Sequence, residues 1–318
     1  MARVGNRRNL GVSLFGLLLS GVLSAAPLQA AGPVQLPLEG MGFTLRPLTE
    51  GAVSFHGVND SSAGAGAASS MLYQIPAGAG IAGLFVAMLA HGGTSEAVRQ
   101  HEISRAAKAA DAVLLPYQGV TQNLQQRELM RDALAQLSSS GPRRLLENGE
   151  AVPAGWVIES VPVYSLTQDQ RALVLDNAVI VRDSSAKDPV YQTIVHVVSD
   201  ARPDAEPQQA WLAEEGQALK TISVQLYAHS LHIVLRTLAE PPKPTISGRA
   251  RTFRYFEGGK RKFERAKLLS LACARAVVQT LRGELMSIPQ AAEEIDAIVE
   301  EDAALAPAAC EAARPYPS

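Results

Sequence analysis

The sequence predicts an α+β fold: an antiparallel meander sheet packed by long helices, plus a smaller, mainly helical C-terminal subdomain. Three observations predict it. Aliphatic stretches at 155–164, 172–181 and 190–198 follow one another, separated by the polar, turn-rich segments 165–170 and 182–189, as in a meander. The next stretch, 210–239, carries Trp211, Leu219, Ile222, Leu226 and Ile233 along one long helix. Finally, Pro241-Pro242-Lys243-Pro244 marks an extended linker at 241–248, ahead of a charged region at 249–318.

In chain order, residues 1–30 have the layout of a secretory signal peptide. Arg3, Arg7 and Arg8 precede an uncharged apolar stretch at 10–26, and small residues lead to a cleavage site after Leu28-Gln29-Ala30. The apolar stretch is shorter than the ~20 residues of a spanning helix. The expectation is export by the general route to a periplasmic or secreted location. Removing 1–30 leaves about 290 of the 318 residues, enough for a sizeable core. The composition is that of a folded protein, 47% hydrophobic and 19% charged. Its formal net charge of −2 gives no global attraction to nucleic acid or to anionic membranes, so charge-driven binding has to be local.

The α+β domain is expected over 31–240. Short strands fit 43–45 and 53–56, and DSSAGAGAA at 60–68 reads as a loop. The apolar run 71–93 follows. Within it a helix near 77–91 places Ile81, Leu84, Phe85 and Met88 on one bulky face, and Ala79, Gly83 and Ala87 on a smooth one. The favoured reading is a buried core helix, with peripheral membrane contact through 77–91 as the alternative. Gly78-Ala79-Gly80-Ile81-Ala82-Gly83 matches the dinucleotide-binding glycine pattern. Pro76 interrupts the junction before it, no acid closes the next strand, and the ligand is scarce after export, so no nucleotide is expected. AVLLPY at 112–117 reads as a buried strand and 124–137 as an amphipathic helix.

Past the linker, 249–257 reads as a strand, Gly258-Gly259 as a turn, 262–283 as a helix, and the segment after Pro289 as an acidic helix to about 304. Positive charge is concentrated here. Arg249, Arg251, Arg254, Lys260, Arg261, Lys262, Arg265 and Lys267 against Glu257 and Glu264 give eight minus two, +6 over residues 249–267, with Phe253, Tyr255 and Phe256 interleaved. Arg249, Arg251, Arg254, Lys260, Arg261 and Lys262 form the candidate anion- or partner-binding site. After export its partners are anionic lipid, lipopolysaccharide or an acidic envelope protein, and not nucleic acid. The competing reading pairs these cations with the acids of the last helix. Cys273 and Cys310 form a candidate disulfide, as an even pair in an oxidising compartment can.

Catalytic signatures are absent from the sequence: it has no GxSxG or HExxH motif and no SxxK followed by a KTG box. His229 and His232 lie three apart, but no third ligand sits at metal spacing, so no metal or cofactor is expected. The functional expectation is a non-catalytic exported binding or assembly protein. A secreted or periplasmic hydrolase with a dispersed active site is the alternative.

Arg254-Tyr255, Glu264-Arg265-Ala266, Cys273, Thr280-Leu281-Arg282-Gly283 and Pro289 together resemble the carboxyl end of a group of exported proteobacterial proteins of unknown function. The meander at 156–199 followed by the Trp211 helix is similar to theirs too. The resemblance implies an envelope location and carries no activity, site or cofactor.

Overall fold

A ten-stranded mixed sheet organises the chain in the computed structural model, which describes residues 42–58, 105, 107–137, 141–186, 188–239, 249–272 and 274–301. All of these fall in one compact unit, Pro33–Ser318. The signal peptide, the 77–91 helix, the 241–248 linker, Cys273 and Cys310 lie outside the described residues.

The meander is present. Strands β4 (Trp156–Leu166), β5 (Leu173–Asp183) and β6 (Tyr191–Val198) pair antiparallel in sequence. Two short strands, β1 (Phe43–Pro47) and β2 (Ser54–Gly57), lie parallel to β4, and β3 (Arg143–Leu145) pairs parallel with β1. Both faces of the meander are buried, so its strands read as near-continuous apolar runs rather than a clean alternation.

Two helices contribute to the larger core. Helix α1 (Gln126–Gln136) buries Leu129, Met130, Ala133 and Leu134. The long segment α2 (Pro207–Ala239) buries Leu219, Leu226, Tyr227, Ile233, Val234 and Leu238, in one cluster with Ile158, Leu175, Val179 and Val195 of the strands. Polar contacts fix its register. Ser160 donates to Asn177 at 2.6 Å, Asn177 donates to Ser230 at 2.8 Å, and the Tyr164 hydroxyl donates to the Ser223 carbonyl at 2.6 Å. Buried polar groups bonded in this way select one docking of helix on sheet. The segment is not one straight helix: Glu214, Glu215 and Gly216 have φ of 51°, 57° and 78°, a left-handed break after Leu212.

Two expectations are corrected. AVLLPY is not a strand; Ala112–Tyr117 is a 3-10 helix that buries Tyr117 and runs into the helical turn Gln118–Thr121. A six-residue apolar run has too little length for its period to decide between the two.

The second correction is larger. The mainly helical C-terminal subdomain, with its helix over 262–283, is instead made of strands: β7 (Ala250–Glu257), β8 (Lys260–Ala272), β9 (Arg275–Thr280) and β10 (Leu285–Pro289). Among the described residues of this region only α3 (Ala292–Glu301) is helical. Strand β10 pairs parallel with β6, so the sheet runs on in the order β5-β6-β10-β9-β8-β7. A register shift interrupts the period of two in this region. Ala266 and Leu268 face one core, the register shifts between Leu268 and Ser270, and Leu271 returns to that same core three residues later. The helical spacing of Phe263, Ala266, Leu269, Val277 and Leu281 in fact joins both strand faces: Phe263 and Leu281 are exposed, Ala266 lies in one core, and Leu269 and Val277 pack on the other.

Arg275, 4% exposed, locks the parallel junction. Its guanidinium donates to the carbonyls of Val198 and Ser287 and to the Ser287 hydroxyl, and it pairs with Asp200 at 3.0 Å. The β7–β8 hairpin then folds back across the sheet as an arm. Phe253, Tyr255, Ala266 and Leu268 of the arm share a core with Val174 of β5, Val198 of β6 and Ile298 of α3.

Candidate functional site

Strand register sorts the charges of the arm. In an antiparallel pair, residues directly opposite project to the same face. Phe253 lies opposite Glu264, Tyr255 opposite Lys262, Glu257 opposite Lys260, and Arg251 opposite Ala266; this is the face turned toward the sheet. Ala250 lies opposite Lys267, Thr252 opposite Arg265, Arg254 opposite Phe263, and Phe256 opposite Arg261. Those residues make the outer face. It carries four cations, Arg254, Arg261, Arg265 and Lys267, all exposed, and no acid.

The same face displays aromatic surface. Phe256 is 47% and Phe263 58% exposed, and Leu281, 63% exposed, stands in the adjoining β9–β10 turn with Arg282. The Arg261 guanidinium lies over the Phe256 ring at 5.7 Å. Arg254 reaches Glu294 of α3 at 3.6 Å, a surface pair of small energetic weight.

The six expected site residues therefore divide. Arg254 and Arg261 are on the outer face, and the exposed Arg249 precedes the strand. Arg251, Lys260 and Lys262 are on the inner one, where Lys262 pairs with Glu257 at 3.7 Å. Arg265, Lys267 and Phe263 join the outer face once the segment holding them is a strand. The alternation from Arg261 to Lys267 was the available signal.

The β4–β5 turn holds the tip of the arm. Asp169 accepts from the Gly259 backbone N–H, from the Thr167 hydroxyl at 2.7 Å and from the Arg171 N–H at 3.1 Å. At Gly258 φ is +63°, and a Cβ there would meet Asp169 Oδ1 at 2.4 Å, so the tip requires glycine. Burial opposes ionisation of Asp169, but those three hydrogen bonds outweigh it and hold the carboxyl below its usual range. A carboxyl with a depressed folded-state pKa stabilises the fold above its ordinary pKa and loses that contribution as pH falls through the lowered value. Asp169→Ala is expected to loosen the tip at neutral pH, read as faster amide exchange at residues 256–261. In the wild type the contribution of Asp169 itself is expected to be lost only in acid.

Beneath the arm lies a second group of titratable side chains, absent from the sequence-level candidates. His196 of β6 and Asp176 of β5 are register partners, with Nδ1 2.7 Å from the carboxylate. His196 Nε2 is buried and has no hydrogen-bond partner among the described residues. A carboxylate that orients an imidazole is part of many general-base assemblies. No nucleophile is hydrogen-bonded to Nε2 here.

Other histidines and grooves are occupied structurally. His229 Nε2 lies 2.9 Å from the Ser287 hydroxyl, and burial, then Arg275 and His232, push its pKa down to about 3. A polar groove beside Arg127 and Glu128 is spanned by Arg127, which donates to Glu147, Asn148 and the Leu146 carbonyl. Among the described residues no group of three or more His, Cys, Asp or Glu side chains could hold a metal ion, and no helix is long and apolar enough to cross a membrane. Comparison with protein-family models and with curated proteins gives no match.

Proposed function

We propose that this chain is a non-catalytic exported binding protein that docks on an anionic membrane surface of the cell envelope through the outer face of the β7–β8 hairpin. One observation carries the reading: the register puts four cations and two exposed phenylalanines on one face and turns both acids of the hairpin inward. Cations attract phosphate headgroups over about a Debye length, and the aromatic rings enter the interface between headgroup and acyl chain. The signal peptide read from residues 1–30 supports the envelope compartment.

The test is co-sedimentation of the purified mature chain with vesicles. Binding is expected to vesicles containing phosphatidylglycerol, not to pure phosphatidylcholine, and to weaken steeply as salt rises. Indifference to lipid charge would refute the reading. Binding to lipopolysaccharide alone, or to an acidic envelope protein alone, would move the partner while keeping the face.

A periplasmic or secreted hydrolase is the second reading, and it draws on the Asp176–His196 pair alone. Ester or amide turnover lost in His196→Ala would favour it.

A further inference from the structure

We propose that His196 is a pH-operated catch that, when protonated, fastens the β7–β8 arm over the sheet and holds its outer face rigid. The inference rests on the membrane-docking reading for its purpose, though not for its mechanism. Its basis is what surrounds the imidazole. Asp176 lies beside it on the floor formed by β5 and β6. Phe253 and Tyr255 pack with Val174, Val198 and Met286 around that floor, so the inner face of the arm, with Tyr255, Glu257, Lys262 and Glu264, is turned to it. The β9–β10 turn brings Glu284 and Arg282, with the Glu284 N–H donating to the Thr280 hydroxyl at 3.2 Å. Three separate elements thus converge on one histidine whose second nitrogen is buried and unpaired.

Protonation changes the balance between floor and arm. The carboxyl groups of Asp176, Glu257, Glu264 and Glu284 share this space with the inner-face cations Arg251, Lys260 and Lys262 and with Arg282 of the turn. With His196 protonated, a further cation sits between Asp176 on the floor and Glu257 on the arm, and adds attraction across the gap. Burial penalises that cation, but Asp176, with help from Glu257 and Glu284, outweighs the penalty and raises the pKa of His196 above its ordinary value. Burial likewise raises the pKa of Glu264 and of Glu284.

The sign follows. A histidine with a raised folded-state pKa contributes its full stabilisation below the ordinary imidazole pKa and loses it as pH rises through the raised value. The arm is therefore fastened on the acid side and freed on the alkaline side. This window lies above the one in which Asp169 releases the tip, so the two effects separate.

The test is hydrogen–deuterium exchange of the full chain at about pH 6 and about pH 8.5, corrected for intrinsic exchange and read on peptides covering 250–267. Wild-type protection of these amides is expected to fall severalfold at the higher pH, while α1 and the long helix are unchanged. His196→Gln is expected to give the same arm protection at both pH values. If that variant does not fold, Asp176→Asn serves instead, and should move the transition to lower pH. Equal wild-type protection at both values, or a pH response that survives in His196→Gln, would overturn the catch. Vesicle binding is measured at the same two pH values. Binding without any change in exchange refutes the catch alone. A change in exchange without binding refutes the docking reading and leaves the catch standing.

Discussion

Replacing Arg254, Arg261, Arg265 and Lys267 together by glutamine is expected to abolish binding to anionic vesicles while the fold survives. All four are exposed on the outer face, and none supports a core cluster. A basic side chain near an anionic surface contributes about 1 kcal/mol, so four contribute about 4 kcal/mol, or about a thousandfold in affinity. The matched control is Arg251→Gln, Lys260→Gln and Lys262→Gln. That variant removes nearly as much charge, but from the inner face, and should weaken vesicle binding far less. Co-sedimentation of the two variants side by side, with circular dichroism to confirm folding, measures the contrast. Equal losses would mean that net charge, rather than the sorted face, attracts the chain.

Trp211→Ala is expected to destabilise the chain by about 3–5 kcal/mol, the usual range for emptying a large aromatic site. Trp211 is 1% exposed, its indole N–H donates to the Gln170 carbonyl at 2.6 Å, and Arg202 stacks on its ring at 4.7 Å. Gln170 is held from its other side by the Tyr117 hydroxyl at 2.6 Å, and its φ of 59° makes it dependent on such contacts. Losing the indole therefore frees a strained turn as well as opening a cavity. Against a total stability of about 5–15 kcal/mol, the loss should show plainly in thermal or urea unfolding. Trp211→Phe keeps most of the ring volume and removes the donor, and is expected to cost about 1–3 kcal/mol. Near-equal unfolding midpoints for the wild type and the alanine variant would count against this account of the turn.

The meander was legible because strands buried on both faces must be aliphatic throughout, and the turns between them must be polar. The helix at 126–136 was legible for a related reason: one periodic face is packed, over enough residues to establish the period. The C-terminal strands were not. Their period of two is interrupted by the register shift after Leu268, and a reading that assumes one unbroken helical period assigns residues of both strand faces to one helix face. The same error hid half of the candidate site. As a helix, residues 262–267 scatter Phe263, Arg265 and Lys267; as a strand, they align them. The Asp176–His196 pair was illegible for a different reason. Its members lie twenty residues apart on neighbouring strands, and only the register of β5 against β6 brings them together.

The β4–β5 turn has one more role. Gln168 donates to the Val58 carbonyl at 2.7 Å and to the Ala110 carbonyl at 3.1 Å, and Asp111 accepts from the Gly57 N–H at 2.8 Å. At Gly57 an added Cβ would meet the Ala110 carbonyl oxygen at 1.8 Å, so the two strands of chain are in close contact at that point. One turn thus ties together three stretches far apart in sequence: 57–58 and 110–111 through Gln168, and the arm tip at 258–259 through Asp169. Contacts between stretches so distant in sequence are the ones whose closure costs the chain most entropy. The turn between β4 and β5 is therefore a junction, and a change there is expected to be felt at β2 and at the arm tip together.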